Sequence, residues 1–260
     1  MTFWTKHPFL GLFVCLIAIT PAHAQLRGHG GPVKALAISP DGTHAISGSF
    51  DTSAISWSLS RNTAEQVLRF HDGAVNAVAY LKDGRIVTAG ADAHIAIWSA
   101  GQPQPDKVFD GHSGPVSNLA VSPDGSMIAS ASWDRSVRLW PVNGGPARVL
   151  EGHGQNVNGV AFTPDGKNVV SAGYDATVRI WPLAGGSAAV RTLPTPLNAV
   201  AVAPDGEIAT AGANGKVYFL SPAGETLGEV DASPNPVIAL AMSPDCHLVA
   251  AAGIRASVAL

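Results

Sequence analysis

The sequence predicts an all-β fold made of one repeated unit, four short antiparallel strands joined by tight turns. Two observations carry that prediction. The first is a turn tripeptide that recurs as Pro40-Asp41-Gly42, Lys82-Asp83-Gly84, Pro123-Asp124-Gly125, Pro164-Asp165-Gly166, Pro204-Asp205-Gly206 and Pro244-Asp245-Cys246. The Asp spacings are 42, 41, 41, 40 and 40, and a period of that length marks a repeat architecture rather than one irregular core. The second is that apolar residues fall in short runs between turn residues, with no stretch that holds a helical period over ten residues.

The third repeat shows how each element is justified. Val116 to Val121 is a strand-length run that enters the Pro-Asp-Gly turn, where glycine accepts the positive φ that such turns demand. Met127 to Ser130 follows, then a tight turn at Trp133-Asp134-Arg135. Ser136 to Trp140 and Ala147 to Leu150 complete the unit. Two further series keep the same phase. One is Gly-His or its remnant, at Gly28-His29, Phe70-His71, Gly111-His112 and Gly152-His153. The other is an acid six residues before a tryptophan, at Asp51 with Trp57, Asp92 with Trp98, Asp134 with Trp140 and Asp175 with Trp181.

Composition excludes several classes. Charged residues are 13% of the chain and hydrophobic ones 46%, the opposite of what leaves a chain disordered. The net charge of −3 comes with no basic cluster, so the phosphate-neutralising contacts that drive nucleic-acid binding are missing and no nucleic acid is expected as partner.

Residues 1–24 read as a cleaved secretory signal peptide: Lys6, an apolar run from Pro8 to Thr20, and Ala22-His23-Ala24 as the cleavage site. Cleavage removes Lys6 and takes the net charge to −4. Residues 25–260 then form the folded domain, expected to be periplasmic or secreted and without a membrane span. One cysteine, Cys246, remains, which rules out a disulfide framework and places a lone thiol at a turn position that glycine occupies elsewhere.

Taken together, Gly-His, Pro-Asp-Gly and Asp-x5-Trp at this period resemble the WD-repeat (WD-40) family over residues 25–260. The fold that the resemblance implies is a β-propeller of four-stranded antiparallel blades. It also implies a structural hydrogen-bond tetrad in each well-kept repeat, running from a strand Ser or Thr through His and Asp to the Trp indole. The sets are His29, Ser47, Asp51, Trp57; His71, Thr88, Asp92, Trp98; His112, Ser130, Asp134, Trp140; and His153, Ser171, Asp175, Trp181. A hydrolase triad would instead need one privileged nucleophile beside an oxyanion hole, and a metal site would need ligands converging on one point. No catalytic residue and no metal ligand is expected.

The pattern decays toward the C-terminus. In the fifth repeat Asn214 and Leu220 stand where Asp and Trp stood, and Thr195 lies near the lost His. Packing there is expected to rest on Val200, Val202, Val217 and Phe219. In the sixth, Ala251 and Arg255 replace the Ser/Thr and the Asp, and Ser257 to Leu260 reads as most of a third strand. The expectation is five near-complete repeats and part of a sixth, from a longer and seven-bladed parent, with a six-bladed ring as the alternative and Gln25-Leu26-Arg27 as the outer strand of a closing blade.

For function, the resemblance implies a non-catalytic protein–protein interaction scaffold that holds a protein or peptide on its loop face. The expected contact residues are those before the turn acids, Phe50, Trp133 and Tyr174, and those just inside the first strands, Lys34, Asn76, Ser117, Asn158 and Asn198. No cofactor is expected in this chain. The alternative is the propeller portion of a c-type cytochrome electron-transfer protein, with haem c in a domain beyond residue 260.

Overall fold

The computed structural model describes residues 26–243, 245, 248–253 and 258–259; residues 1–25, Cys246 and Arg255 lie outside the described residues. Among the described residues the elements are all strands, arranged as five four-stranded antiparallel sheets and a sixth of three strands. Blade 1 comprises β1 (Val33–Ile38), β2 (His44–Ser49), β3 (Ser53–Ser58) and β4 (Thr63–Arg69). Blade 2 comprises β5 (Val75–Tyr80), β6 (Ile86–Gly90), β7 (Ile95–Trp98) and β8 (Lys107–Phe109). Blade 3 comprises β9 (Val116–Val121), β10 (Met127–Ser132), β11 (Val137–Pro141) and β12 (Arg148–Leu150). Blade 4 comprises β13 (Val157–Phe162), β14 (Asn168–Gly173), β15 (Thr177–Pro182) and β16 (Ala189–Thr192). Blade 5 comprises β17 (Leu197–Val202), β18 (Ile208–Gly212), β19 (Lys216–Leu220) and β20 (Thr226–Asp231), and blade 6 comprises β21 (Val237–Met242), β22 (Val249–Gly253) and β23 (Val258–Ala259). These are the repeated four-stranded units that the sequence period predicts, in the propeller architecture that the family resemblance implies.

The turns follow from their residues. At the Pro-Asp-Gly positions Gly42, Gly84, Gly125, Gly166 and Gly206 all have φ between 67° and 92°, which an L side chain adopts only at a cost. Asp41 shows why Asp precedes the glycine. Its Oδ1 accepts the Ser39 hydroxyl at 2.6 Å and the Thr43 backbone N–H at 3.0 Å, and those donors hold its carboxyl down to about 2.

The core lies between blades rather than within one. Ile95, Ile97, Phe109, Ile128 and Trp140 share a cluster across blades 2 and 3. Leu139, Leu150, Val169 and Trp181 do the same across blades 3 and 4. An apolar residue three before each His, from the end of the preceding repeat, packs near the next blade's Trp: Leu68 with Trp98, Phe109 with Trp140 and Leu150 with Trp181. Leu26 takes that place against Ala45, Ile55 and Trp57 of blade 1, although residues 26–29 are not in a strand.

Blades pack in chain order through their first strands, β1 against β5 and so on to β17 against β21. Residues of all six first strands line one cavity of about 650 Å³, which places them around a common channel.

Candidate functional site: the tetrads and the channel mouth

Each of the first four blades brings its four tetrad residues together, in an order different from the expected one. In blade 1, His29 Nδ1 lies 3.0 Å from Asp51 Oδ2 and Nε2 lies 2.8 Å from Ser47 Oγ. Trp57 Nε1 donates to Ser47 Oγ at 2.7 Å, and makes no bond to the aspartate. The other blades repeat this. His71 bridges Asp92 at 2.9 Å and Thr88 at 2.8 Å, and Trp98 donates to Thr88 at 3.0 Å. His112 bridges Asp134 and Ser130, both at 2.7 Å, with Trp140 on Ser130 at 2.8 Å. His153 bridges Asp175 at 3.0 Å and Ser171 at 2.8 Å, with Trp181 on Ser171 at 2.8 Å.

Strand register sets this order. Trp57 pairs with Ala45 on the adjacent strand, so its indole reaches the hydroxyl two residues along β2, whereas the aspartate sits at the far end in the turn. Donors then run one way: indole N–H to hydroxyl, hydroxyl to His Nε2, and His Nδ1–H to the carboxylate. That chain assigns a neutral imidazole with its proton on Nδ1. Burial lowers the pKa of His112 and His153, outweighing the attraction of Asp134 and Asp175.

The carboxylate at the end of each chain is densely solvated by protein donors. Burial pushes the Asp134 carboxyl up, but hydrogen bonds from the Ser136 hydroxyl, His112 and the Ser136 backbone together hold it down to about 2. Ser53, Ser136 and Thr177, two residues after their aspartates, each donate a hydroxyl to them at 2.7–2.8 Å. Ser49 and Ser132 brace the other side, each accepting the turn N–H and donating to a carbonyl of the Gly-His loop. The sequence reading passed over these hydroxyls; an Asp-x-Ser/Thr spacing would have found the first group.

The connectivity Asp–His–Ser is that of a hydrolase triad, but its chemistry is not. Thr88, Ser130 and Ser171 are fully buried, and one lone pair of each oxygen is occupied by an indole N–H. An oxygen so placed meets no substrate.

Blade 5 forms four strands without a tetrad. Asn214 Nδ2 donates to the Tyr218 hydroxyl at 2.8 Å, and Tyr218 and Leu220 are buried in the core. Sequence reading missed this pair, because the tyrosine stands four residues after Asn214 rather than six.

At the channel, Lys34, Asn76, Ser117, Asn158, Asn198, Trp133 and Tyr174 line the same cavity; Phe50 is exposed but does not line it. The residues just inside the first strands occupy a β-bulge in each blade. From there they reach across to the next blade. Asn76 Nδ2 donates to the Val116 carbonyl at 2.9 Å, Ser117 Oγ to Val157 at 2.6 Å, Asn158 Nδ2 to Leu197 at 2.9 Å, and Asn198 Nδ2 to Val237 at 2.9 Å. These four residues therefore hold neighbouring blades together as well as lining the channel.

The family model for the WD domain, G-beta repeat, matches residues 21–58, 62–99, 103–141 and 144–182, more than half of the chain. The chain belongs to the WD40 family. The four matched repeats correspond to the four blades with complete tetrads. WD40 domains serve in general as interaction scaffolds rather than as catalysts. The chain is also 40% identical over 65 residues to a protein of Candida glabrata named ribosome biogenesis protein YTM1, a match covering 25% of this chain and 14% of that protein. So short a shared span extends the WD40 likeness and nothing more. Among the described residues no helix is long and apolar enough to cross a membrane.

Proposed function

We propose that this WD40 chain is an exported, periplasmic or secreted, interaction module that captures a protein or peptide partner at the loop-face mouth of its channel. One observation carries the reading. Trp133 and Tyr174, on adjacent blades, are 51% and 45% exposed and open into the channel cavity, whereas Trp57, Trp98, Trp140 and Trp181 are all buried. Exposed aromatics on a rigid frame are the residues that dominate binding energy at interfaces. The frame is rigid because the tetrads and the cross-blade bonds leave few polar groups to reorganise. Export rests on residues 1–24, whose basic start, apolar run and Ala-x-Ala end fit a signal peptide.

The test places a photo-crosslinking side chain at position 174 and, separately, at position 165 in a turn at the other end of the blade. Adducts from position 174 that vanish in Trp133→Ala support the mouth as the contact surface. Equal adducts at both positions overturn it. Fractionation of cells carrying residues 1–260 checks export, which requires a processed chain outside the cytoplasm.

A further inference from the structure

The geometry points to a neutral saccharide as the group that enters this mouth, an inference that rests on the proposed binding face and names the ligand's chemistry. Among the described residues the channel wall carries no carboxylate, and Lys34 is the one charged residue on it. A cationic ligand finds no counter-charge there, and an anionic one finds a single ammonium on one side. Selection has to come from uncharged polar groups and aromatic faces.

Those groups have a fixed orientation. Asn76, Asn158 and Asn198 each commit Nδ2 to a carbonyl of the next blade. Only the amide nitrogen can donate to a carbonyl, so the flip of each amide is decided and its Oδ1 is left as an acceptor, taking no hydrogen bond among the described residues. Asn118 is held the opposite way, Oδ1 accepting the Val160 N–H at 3.3 Å, so its Nδ2 is left as a donor. Three fixed acceptors and one donor thus stand on four blades around one axis.

A ligand that satisfies them must present hydroxyl-like groups outward in several directions from one compact body. A pyranose rim does this, since each hydroxyl both donates and accepts. An extended main chain, whose N–H groups lie along a line, reaches fewer of them at once. The faces of Trp133 and Tyr174 at the mouth supply flat apolar surfaces for the C–H face of a sugar ring. The cavity of about 650 Å³ lies within the ~300–1,000 Å³ usual for small-ligand sites, where placed polar groups fix the orientation of the ligand.

The experiment incubates the full chain with an array of neutral mono- to tetrasaccharides and follows the best binder by titration calorimetry. Saturable binding is expected. Trp133→Ala and Tyr174→Ala should each weaken it by about tenfold, in the range for an aromatic anchor, while Trp133→Phe keeps the stacking face and retains binding. The winning saccharide is then competed against the photo-adduct at position 174. Displacement assigns the sugar to a partner that carries it, and no displacement with array binding intact assigns a free oligosaccharide. No saturable binding to any array member, with the Trp133-dependent adduct at position 174 intact, overturns the saccharide and leaves the interaction module standing. Loss of both overturns the two together.

Discussion

In each of the first four blades one hydroxyl oxygen, on Ser47, Thr88, Ser130 or Ser171, accepts from an indole and donates to an imidazole. Everything in the chain points its hydrogens toward the carboxylate, so removing the negative charge disturbs each link. Asp134→Asn is expected to cost about 1–3 kcal/mol, the penalty of a buried hydrogen-bond network left partly unsatisfied; chemical denaturation measures it, and an unchanged midpoint would refute the structural role. The same chain sets a pH dependence. His112 and His153 are lowered from the ordinary 6.5 by burial, so as pH falls below about 6.5 the unfolded chain takes up protons that the folded one refuses, and stability declines. Asp134 is held at about 2 against an ordinary 3.8, so a second loss sets in below about pH 4 as unfolded carboxyls protonate first. Melting temperature should therefore be level above pH 7 and drop in two stages toward pH 3. A melting temperature that stays level across that range would show that the network does not carry these protons.

The four-stranded element was readable because its turn residues recur and its apolar runs are strand-length. The tetrads were readable as residue sets through the family resemblance, but not in their bonding order, which depends on strand register. Least readable were the cross-blade bonds. A polar residue at the second position of a strand looks the same whether it faces water or a carbonyl some forty residues along. Hairpin tips show a related point. Thr52, Ala93, Arg135 and Ala176, each following a turn aspartate, have φ of 63–71° without being glycine. The carboxylate closes each turn by accepting the N–H two residues on, at 2.9–3.2 Å. In blade 5 that place is taken by Gly215, with φ of 81°, and the chain packs so closely that an added Cβ would lie 1.9 Å from the Ser233 carbonyl oxygen. Gly215→Ala should destabilise by about 1–3 kcal/mol or more through backbone displacement, whereas Ala93→Gly should change stability by less than about 1 kcal/mol. Matched urea melts compare the two, and equal losses would refute the packing argument.

At the scale of the molecule, packing passes from blade to blade, and its regularity identifies what is uncovered. Leu119, Val160, Val200 and Leu240 occupy one equivalent position on the first strands, and each packs against the core of the blade before it. Leu36 holds that position in blade 1 and is 64% exposed, with Ile38 two residues on at 52%. Contiguous exposed apolar surface of this kind promotes association. The double substitution Leu36→Lys with Ile38→Lys should reduce self-association of the 260-residue chain in sedimentation velocity while lowering its melting temperature far less than a core substitution, because both side chains are more than half exposed. Leu119→Lys, at the equivalent covered position, should instead melt well below the parent chain, since it forces an ammonium into the cluster that holds blades 2 and 3 together. If the double variant loses as much stability as Leu119→Lys, then the β1 face is covered in solution, and the exposed leucine and isoleucine mark a contact rather than an open surface.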